Sequence, residues 1–381
     1  MRRASQLSLS LALLAACSEP APSSDDAART PDAAQRDASG LDAPASDAPG
    51  LDASSSSGDA AADASVIEGE DAPVVAACVL TASGPLVIDT DDAVIERLDV
   101  TSDGGPAIRV NADRVTIRDV RIRHRGGVGI FIAGADDVVV ERVDIENVGV
   151  PTSGAASSAD QNNLESNGAA RLTVRHARLT RGSSGVYLVD SPGSRLEDLE
   201  GHDFRGPFPR GQLVQWNRSD DGVLEGFSVV NPASSWPEDN VNVYQSTGIV
   251  IRDGLVDGNN SPSGVGVIFD DGGAGLVEDV DALHMGNGCF SNFVGPAGNV
   301  FRRTRCRDNV CTDQGRGLPS SNALMWHGNP SGAQARVESS SWWASCNGNV
   351  SWPSEGFEVL ELEEEEFTPR APREVVFCFG R

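Results

Sequence analysis

The chain has no lysine. All 30 of its basic side chains are arginine, set against 56 Asp and Glu, for a net charge of −26 over 381 residues. No side-chain amine is available as a proton acceptor, and there is no basic footprint for nucleic acid. An anionic polymer would be repelled unless cations or a local Arg cluster intervened. No Cys-x-x-Cys pair occurs, and the five His (His124, His176, His202, His284, His327) show no metal-ligand spacing, so no metal site is expected. The apolar run from Leu7 to Ala16 is too short to span a bilayer. Between Ala93 and Cys311 no stretch combines helical spacing with caps, and 41 Gly are too many for helix interiors.

What the chain does have is a rhythm. A polar-x-apolar-x-apolar mark returns at Val120, Val143, Ala177, Leu199, Phe227, Gly254 and Val280, in steps of 23, 34, 22, 28, 27 and 26. A repeat of that size cannot bury its own apolar face and must stack on its neighbours. Each period holds three short alternating runs, such as Gly129 to Ile132, Val138 to Val140 and Val143 to Ile145, with one face in and one out. The fixed Leu ladder of leucine-rich repeats is missing, and propeller blades need about 40 to 45 residues. The all-β reading that fits is a right-handed parallel β-helix solenoid, with turns about 4.8 Å apart. Asn147, Asn231, Asn259, Asn287 and Asn309 follow the third run of their turns, where stacked amides are expected to form a corner ladder.

Over roughly residues 93 to 327 this pattern resembles the pectin-lyase-like parallel β-helix proteins. That class includes polysaccharide lyases, glycoside hydrolases, epimerases and proteins without known activity, so the resemblance implies a fold more than a reaction. The paired Asp signature of polygalacturonases is not evident, and none of their residues carries over.

The ends add a compartment. Two Arg precede the apolar run, which closes on Leu14-Ala15-Ala16-Cys17 and resembles a bacterial lipobox. The expectation is a signal peptide over 1–17, lipidation of Cys17 and anchoring to the outer membrane of an exported protein. Residues 18–75 are almost wholly Ala, Asp, Ser, Pro and Gly and carry a net charge of −11, which predicts a disordered tether. The β-helix is then expected over 76–330 and a cap over 331–381, where Trp342, Trp343 and Trp352 gather. Beyond Cys17, six Cys remain, five in the last quarter, which suits disulfides in an exported chain. Cys346 with Cys378, and Cys306 with Cys311 or Cys289, are candidate pairs. Cys78, at the far end of the rod, is expected to be free and buried.

The extra residues of the uneven steps fall at one corner: Val150 to Gln161, His202 to Arg210, Asn231 to Glu238, and Asp257 to Ser263. Four successive lengthenings would stack into a wall beside the next strand face and make a groove for a polymer. Glu238, Asp239, Asp270 and Asp271 are the acid and base candidates, on adjacent turns at the reach that glycoside hydrolysis needs. Arg210, Gln212, Asn240, Asn242, Tyr244 and His202 are the candidate sugar-holding residues, with Asn163 and Glu165 facing the same way in an earlier turn. The rival chemistry is β-elimination from a uronate. It needs a base among Arg210, His202 and Tyr244, and an Arg or a cation such as Ca2+ to neutralise the carboxylate. The expectation is a monomeric, surface-anchored protein that binds and cleaves a polysaccharide. The alternative is a non-catalytic glycan-binding or structural surface protein.

Overall fold

The computed structural model describes residues 77–294, 298–318, 324–328, 334–346 and 350–380. The expected signal peptide, Cys17 and the tether over 18–75 lie outside the described residues. The repeat folds into two parallel sheets that share one core: a wide sheet of 16 strands and a narrow sheet of 11 among the described residues. Each turn contributes one strand to the narrow sheet, for example Val186–Val189, Val214–Asn217, Val241–Tyr244 and Val267–Asp270.

The recurring apolar mark is the register of the wide sheet. Val120 pairs with Val143, Val143 with Ala177, and the stack continues through Leu199, Phe227, Gly254 and Val280. All but the glycine are at most 1% exposed hydrophobics of one continuous core. Gly254 is required there, because a Cβ would sit 2.1 Å from a ring carbon of Phe227.

Two of the three expected runs per turn merge into one long strand, as in Val139–Asn147. A residue with positive φ marks the join: Asp119, Arg142, His176, Asp198, Asp253 and Asp279 lie between φ 50° and 55°. Such a bend lets the strand fold around the core without leaving its ladder. The corner Asn residues do not form the expected ladder. Asn231 Oδ1 accepts from the Phe204 N–H, and Asn287 Nδ2 donates to the Ser263 carbonyl. The corners carry loops, and the amides are used to satisfy loop backbone.

The ladder that does run from turn to turn is ionic. Arg142 pairs with Asp119 at 2.7 Å, Arg218 with Asp190 at 2.9 Å, Arg303 with Asp279 at 2.7 Å and Arg305 with Asp281 at 2.7 Å. Arg suits this use because its planar fork takes both oxygens of a carboxylate on the next turn.

Parallel pairing does not stop at the expected boundary near residue 330. Phe357–Val359 and Leu362–Glu364 still pair with the strands before them. The chain then turns back and runs along the outside of the wide sheet. Arg307 donates to the Phe367 carbonyl, the Arg370 N–H bonds Asp281, the Arg373 N–H bonds Ser228, and the Val375 N–H bonds Glu200. This strap ends in a disulfide between Cys378 and Cys78. The free Cys78 expected from sequence is therefore wrong. The narrow sheet's eleven described strands make a longer rod than the sequence steps count, but the dozen residues from Phe367 to Cys378, extended, reach about 40 Å, enough to run from beside Arg307 back to Cys78. Cys289 bonds Cys306, and Cys311 bonds Cys346. Three disulfides mark a protein that matures in an oxidising, exported environment. No helix among the described residues is long and apolar enough to cross a membrane.

Candidate functional site

The four long corners stack on one flank. The Ala156 N–H bonds the Arg205 carbonyl, the Trp236 N–H bonds the Phe204 carbonyl, and Asn260 Nδ2 donates to the carbonyls of Ala233 and Ser235. Arg205, 1% exposed, donates to the carbonyls of Thr152, Gly154 and Ser234 and pairs with Asp203 at 2.5 Å. This guanidinium ties three successive loops together. The wall stands beside the outer face of the narrow sheet and encloses a cleft of about 650 Å³.

The floor is a stripe of outward positions in register: Glu165, Tyr187, Gln215, Asn242, Ile268 and Ser291. A second stripe two residues along each strand carries Asn217, Tyr244, Asp270 and Phe293. Arg210, from the second wall loop, lies over the Tyr187 ring at 3.6 Å and donates to Gln215 at 3.0 Å. Asn217 donates to the Tyr187 hydroxyl at 2.9 Å.

Asp239 lines the cleft just ahead of the strand Val241–Tyr244. Its Oδ2 accepts from Asn242 Nδ2 at 2.7 Å and its Oδ1 from the Val265 N–H at 2.9 Å. Burial pushes its pKa up to about 7, helped by the charges of Glu238 and Asp270 and opposed by those two hydrogen bonds. Asp270, one turn on, is raised to about 6 by burial and by the charge of Asp271. Burial also raises Glu165, with the Asn162 amide pulling the other way. Asn242 Oδ1, Arg210 Nε and Ser291 Oγ are buried without a hydrogen-bond partner. Orphaned polar groups of this kind are uncommon in folded proteins, and these three are free to meet a ligand in the cleft.

The structure therefore brings Glu238, Asp239, Asp270, Arg210, Asn242 and Tyr244 to one cleft. It does not bring the other four candidates there. Asp271 follows the last residue of its strand, takes φ 59° and meets Gln245 outside the cleft. Asn240 precedes its strand, is wholly buried, and bonds the Gly258 carbonyl and Asn259. Gln212 is buried inside the loop between Ser184 and the Pro209 carbonyl. His202 ends a wide-sheet strand and bonds Glu200 at 2.9 Å, on the strap side. Asn163 is likewise buried, bonding the carbonyls of Ile145 and Thr180.

Glu238 lines the wall but is already held. Ser261 and Ser263 donate to its two oxygens at 3.0 and 2.6 Å, and Arg316 lies 3.8 Å away. Arg316 comes from a later loop, stacks on Trp236 and bonds the Pro237 carbonyl, so it fixes the wall. Sequence reading missed it, since nothing local shows an Arg folding back over 79 residues. It also missed Tyr187, Gln215 and Ser291, which the narrow-sheet register would have found. Phe208 and Phe293 rim the cleft at 71% and 41% exposure.

A family model described as a right handed beta helix region matches residues 72–198. With the parallel two-sheet coil, this gives the chain a right-handed parallel β-helix fold. Among solved structures it is similar to an alginate lyase from Paenibacillus sp. str. FPU-7, at 10% identity and a TM-score of 0.48, over 74% of this chain and 99% of that one. A DFA-IIIase from Arthrobacter chlorophenolicus A6 matches at 13% identity and a TM-score of 0.47, over 75% and 86%. A lacto-N-biosidase from Eubacterium ramulus matches at 12% identity and a TM-score of 0.44, over 68% of this chain but only 50% of its own length. No curated protein matches the sequence.

Proposed function

We propose that this exported β-helix protein hydrolyses a glycosidic bond in a neutral polysaccharide, using Asp239 as general acid and Asp270 as its ionised partner. The observation that carries this reading is that two carboxyls on adjacent turns face one cleft with pKa values of about 7 and about 6. Between those values Asp239 keeps its proton while Asp270 has lost its own, the division of labour that glycoside hydrolysis requires. Asp239 gives its proton to the glycosidic oxygen as the bond to the anomeric carbon breaks. Asp270 takes a proton from the water that attacks that carbon, so one water is consumed per bond cut. Asp239 is hydrogen-bonded to Asn242, and Asp270 lies diagonally across the sheet from Asn242 on the next turn, so the two carboxyls face the same cleft from adjacent turns.

Arg210, Gln215, Asn217, Asn242 and Tyr244 supply the polar contacts that orient hydroxyl groups. A neutral glycan is favoured because the carboxylates of Glu238 and Asp270 would repel a uronate. Elimination loses two of its three candidate bases, because His202 faces the strap and Arg210 is a charged clamp on Tyr187. We also propose that Cys17 carries the lipid that anchors the protein, since it ends the lipobox-like run.

The test is to incubate the full chain with a panel of neutral and uronate polysaccharides, with and without Ca2+. New reducing ends without absorbance near 230 nm support hydrolysis, and absorbance at 230 nm supports elimination. Asp239→Asn and Asp270→Asn should each remove the activity. A Cys17→Ser chain that stays in the membrane fraction would sink the anchor.

A further inference from the structure

The two ends of the cleft are built differently. At the end nearer the N-terminus, Arg210 bridges the floor. Its guanidinium lies on Tyr187 and reaches Gln215 one turn on, and its charge acts on Glu165 one turn back. Tyr187 is left only 8% exposed beneath it. The outer stripe of the narrow sheet is thus roofed at its Tyr187 step. Phe208 and Pro209, from the same loop, continue the roof along the wall.

At the opposite end no side chain crosses the sheet in this way among the described residues. Phe293 stands beside Asp270 one turn on, 41% exposed. The same outer stripe runs from Ser291 through residue 327 to Trp352, which is 45% exposed. Two turns separate Ser291 from Trp352, about 10 Å. Phe293 and Trp352 thus put two exposed aromatic faces on one side of the sheet, two turns and two strand positions apart, and such faces pack against the apolar C–H faces of sugar rings.

We infer that the cleft is a chain-end site. It takes the terminal sugars of a neutral glycan against the Arg210–Tyr187 stack, and the rest of the chain leaves over Phe293 toward Trp352. This rests on the hydrolase reading above. A cleft that cuts within a chain needs two open ends, and among the described residues this one has a single exit. The roof is one loop deep, so Arg210 and Phe208 set the end specificity while Phe293 and Trp352 add affinity for longer chains.

The experiment uses the full disulfide-bonded chain and a set of neutral polymers (inulin, xylan, mixed-linkage β-glucan, galactomannan and dextran), each followed by size-exclusion chromatography and mass spectrometry of products. The expected result is release of one short product from the first time points while the polymer's size distribution holds. Arg210→Ala should convert this to a ladder of product lengths with an early fall in polymer size. Phe293→Ala and Trp352→Ala should each weaken binding of a hexasaccharide 3- to 10-fold more than binding of the matching disaccharide. An early product ladder from the unaltered protein overturns the inference. If no polymer is cut, the hydrolase reading fails, and binding then decides the end-site inference separately. One protein bound per chain whatever its length supports it, while binding in proportion to chain length, or none to any polymer, overturns it.

Discussion

Glu200, under the strap on the wide sheet, has its pKa held at about 2, while Asp239, in the cleft on the narrow sheet, rises to about 7. Burial pushes both upward. At Glu200 it is overcome by hydrogen bonds from His202 and the Val375 N–H and by the charge of Arg178. At Asp239 the neighbours that count are Glu238 and Asp270, and no cation offsets them. The outer wide sheet meets many of its carboxylates with an arginine from a neighbouring turn or from the strap. The cleft instead gathers carboxyls with amides, aromatics and one clamped guanidinium. A single repeat can therefore stabilise charge on one side of the rod and withhold compensation on the other, and the withheld side is where proton transfer is feasible.

The largest expected effect tests the cleft. Asp239→Asn should lower the rate of glycan hydrolysis about 100- to 10,000-fold, the usual range for a lost general acid, with thermal unfolding of the variant cooperative and intact. The pH profile of the unaltered protein should be a bell centred between about 6 and 7. It rises as Asp270 ionises and falls as Asp239 loses its proton. A flat profile from pH 5 to 8 would remove both roles.

The strap side comes next. Cys78 and Cys378 close a loop of 300 residues in sequence separation. In the chain-entropy account such a closure contributes on the order of 5–6 kcal/mol. Cys78→Ser with Cys378→Ser should lower the denaturation midpoint in urea to match and should expose residues 367–380 to proteases. Cleft activity at 25 °C should change little. If the midpoint is unmoved, the strap is held by its ionic and backbone contacts alone.

The contrast also predicts opposite pH slopes of stability. Asp239 has a folded-state pKa above its unfolded value of 3.8, so its contribution is complete below about pH 4 and is lost as pH rises through about 7. Glu200 has a folded-state pKa below 4.5, so its contribution is complete above that value and is lost as pH falls through about 2. Asp239→Asn should flatten the stability curve between pH 4 and 7, and Glu200→Gln should flatten it between pH 4.5 and 2. Midpoints of unfolding across pH 2 to 8 read both slopes, and a shared slope in the two variants would erase the distinction between the faces.

Much of this was legible in the chain, for a physical reason. The fold is a one-dimensional stack, so its period, its core positions and the flank of its long corners all appear as spacing between like residues. Val120, Val143 and Ala177 are paired in space as they are paired in pattern. The cleft was legible where alternation holds, at Asn242, Tyr244 and Asp270. It failed one residue outside a strand, at Asn240 and Asp271, where nothing forces a side chain to alternate. Contacts made by chain that leaves the stack were not legible at all. Arg316 on the wall and Cys378 beside Cys78 depend on the path of a segment without periodicity, and local sequence does not record that path.

The smallest effect concerns the ladder itself. Arg175 pairs with Glu141 on the preceding turn, and Arg142 also reaches the same carboxylate. Removing one guanidinium leaves Glu141 with a partner, and Arg175 is 45% exposed, so water replaces much of what is lost. Arg175→Gln should therefore cost about 1 kcal/mol or less. In 1 M NaCl the difference from the unaltered protein should shrink further, since the screening length falls to about 3 Å. A cost well above that, insensitive to salt, would mean the ladder acts as one cooperative network along the rod. The wide sheet would then be the side on which charge organises the fold, and the cleft would be the place where that organisation is interrupted.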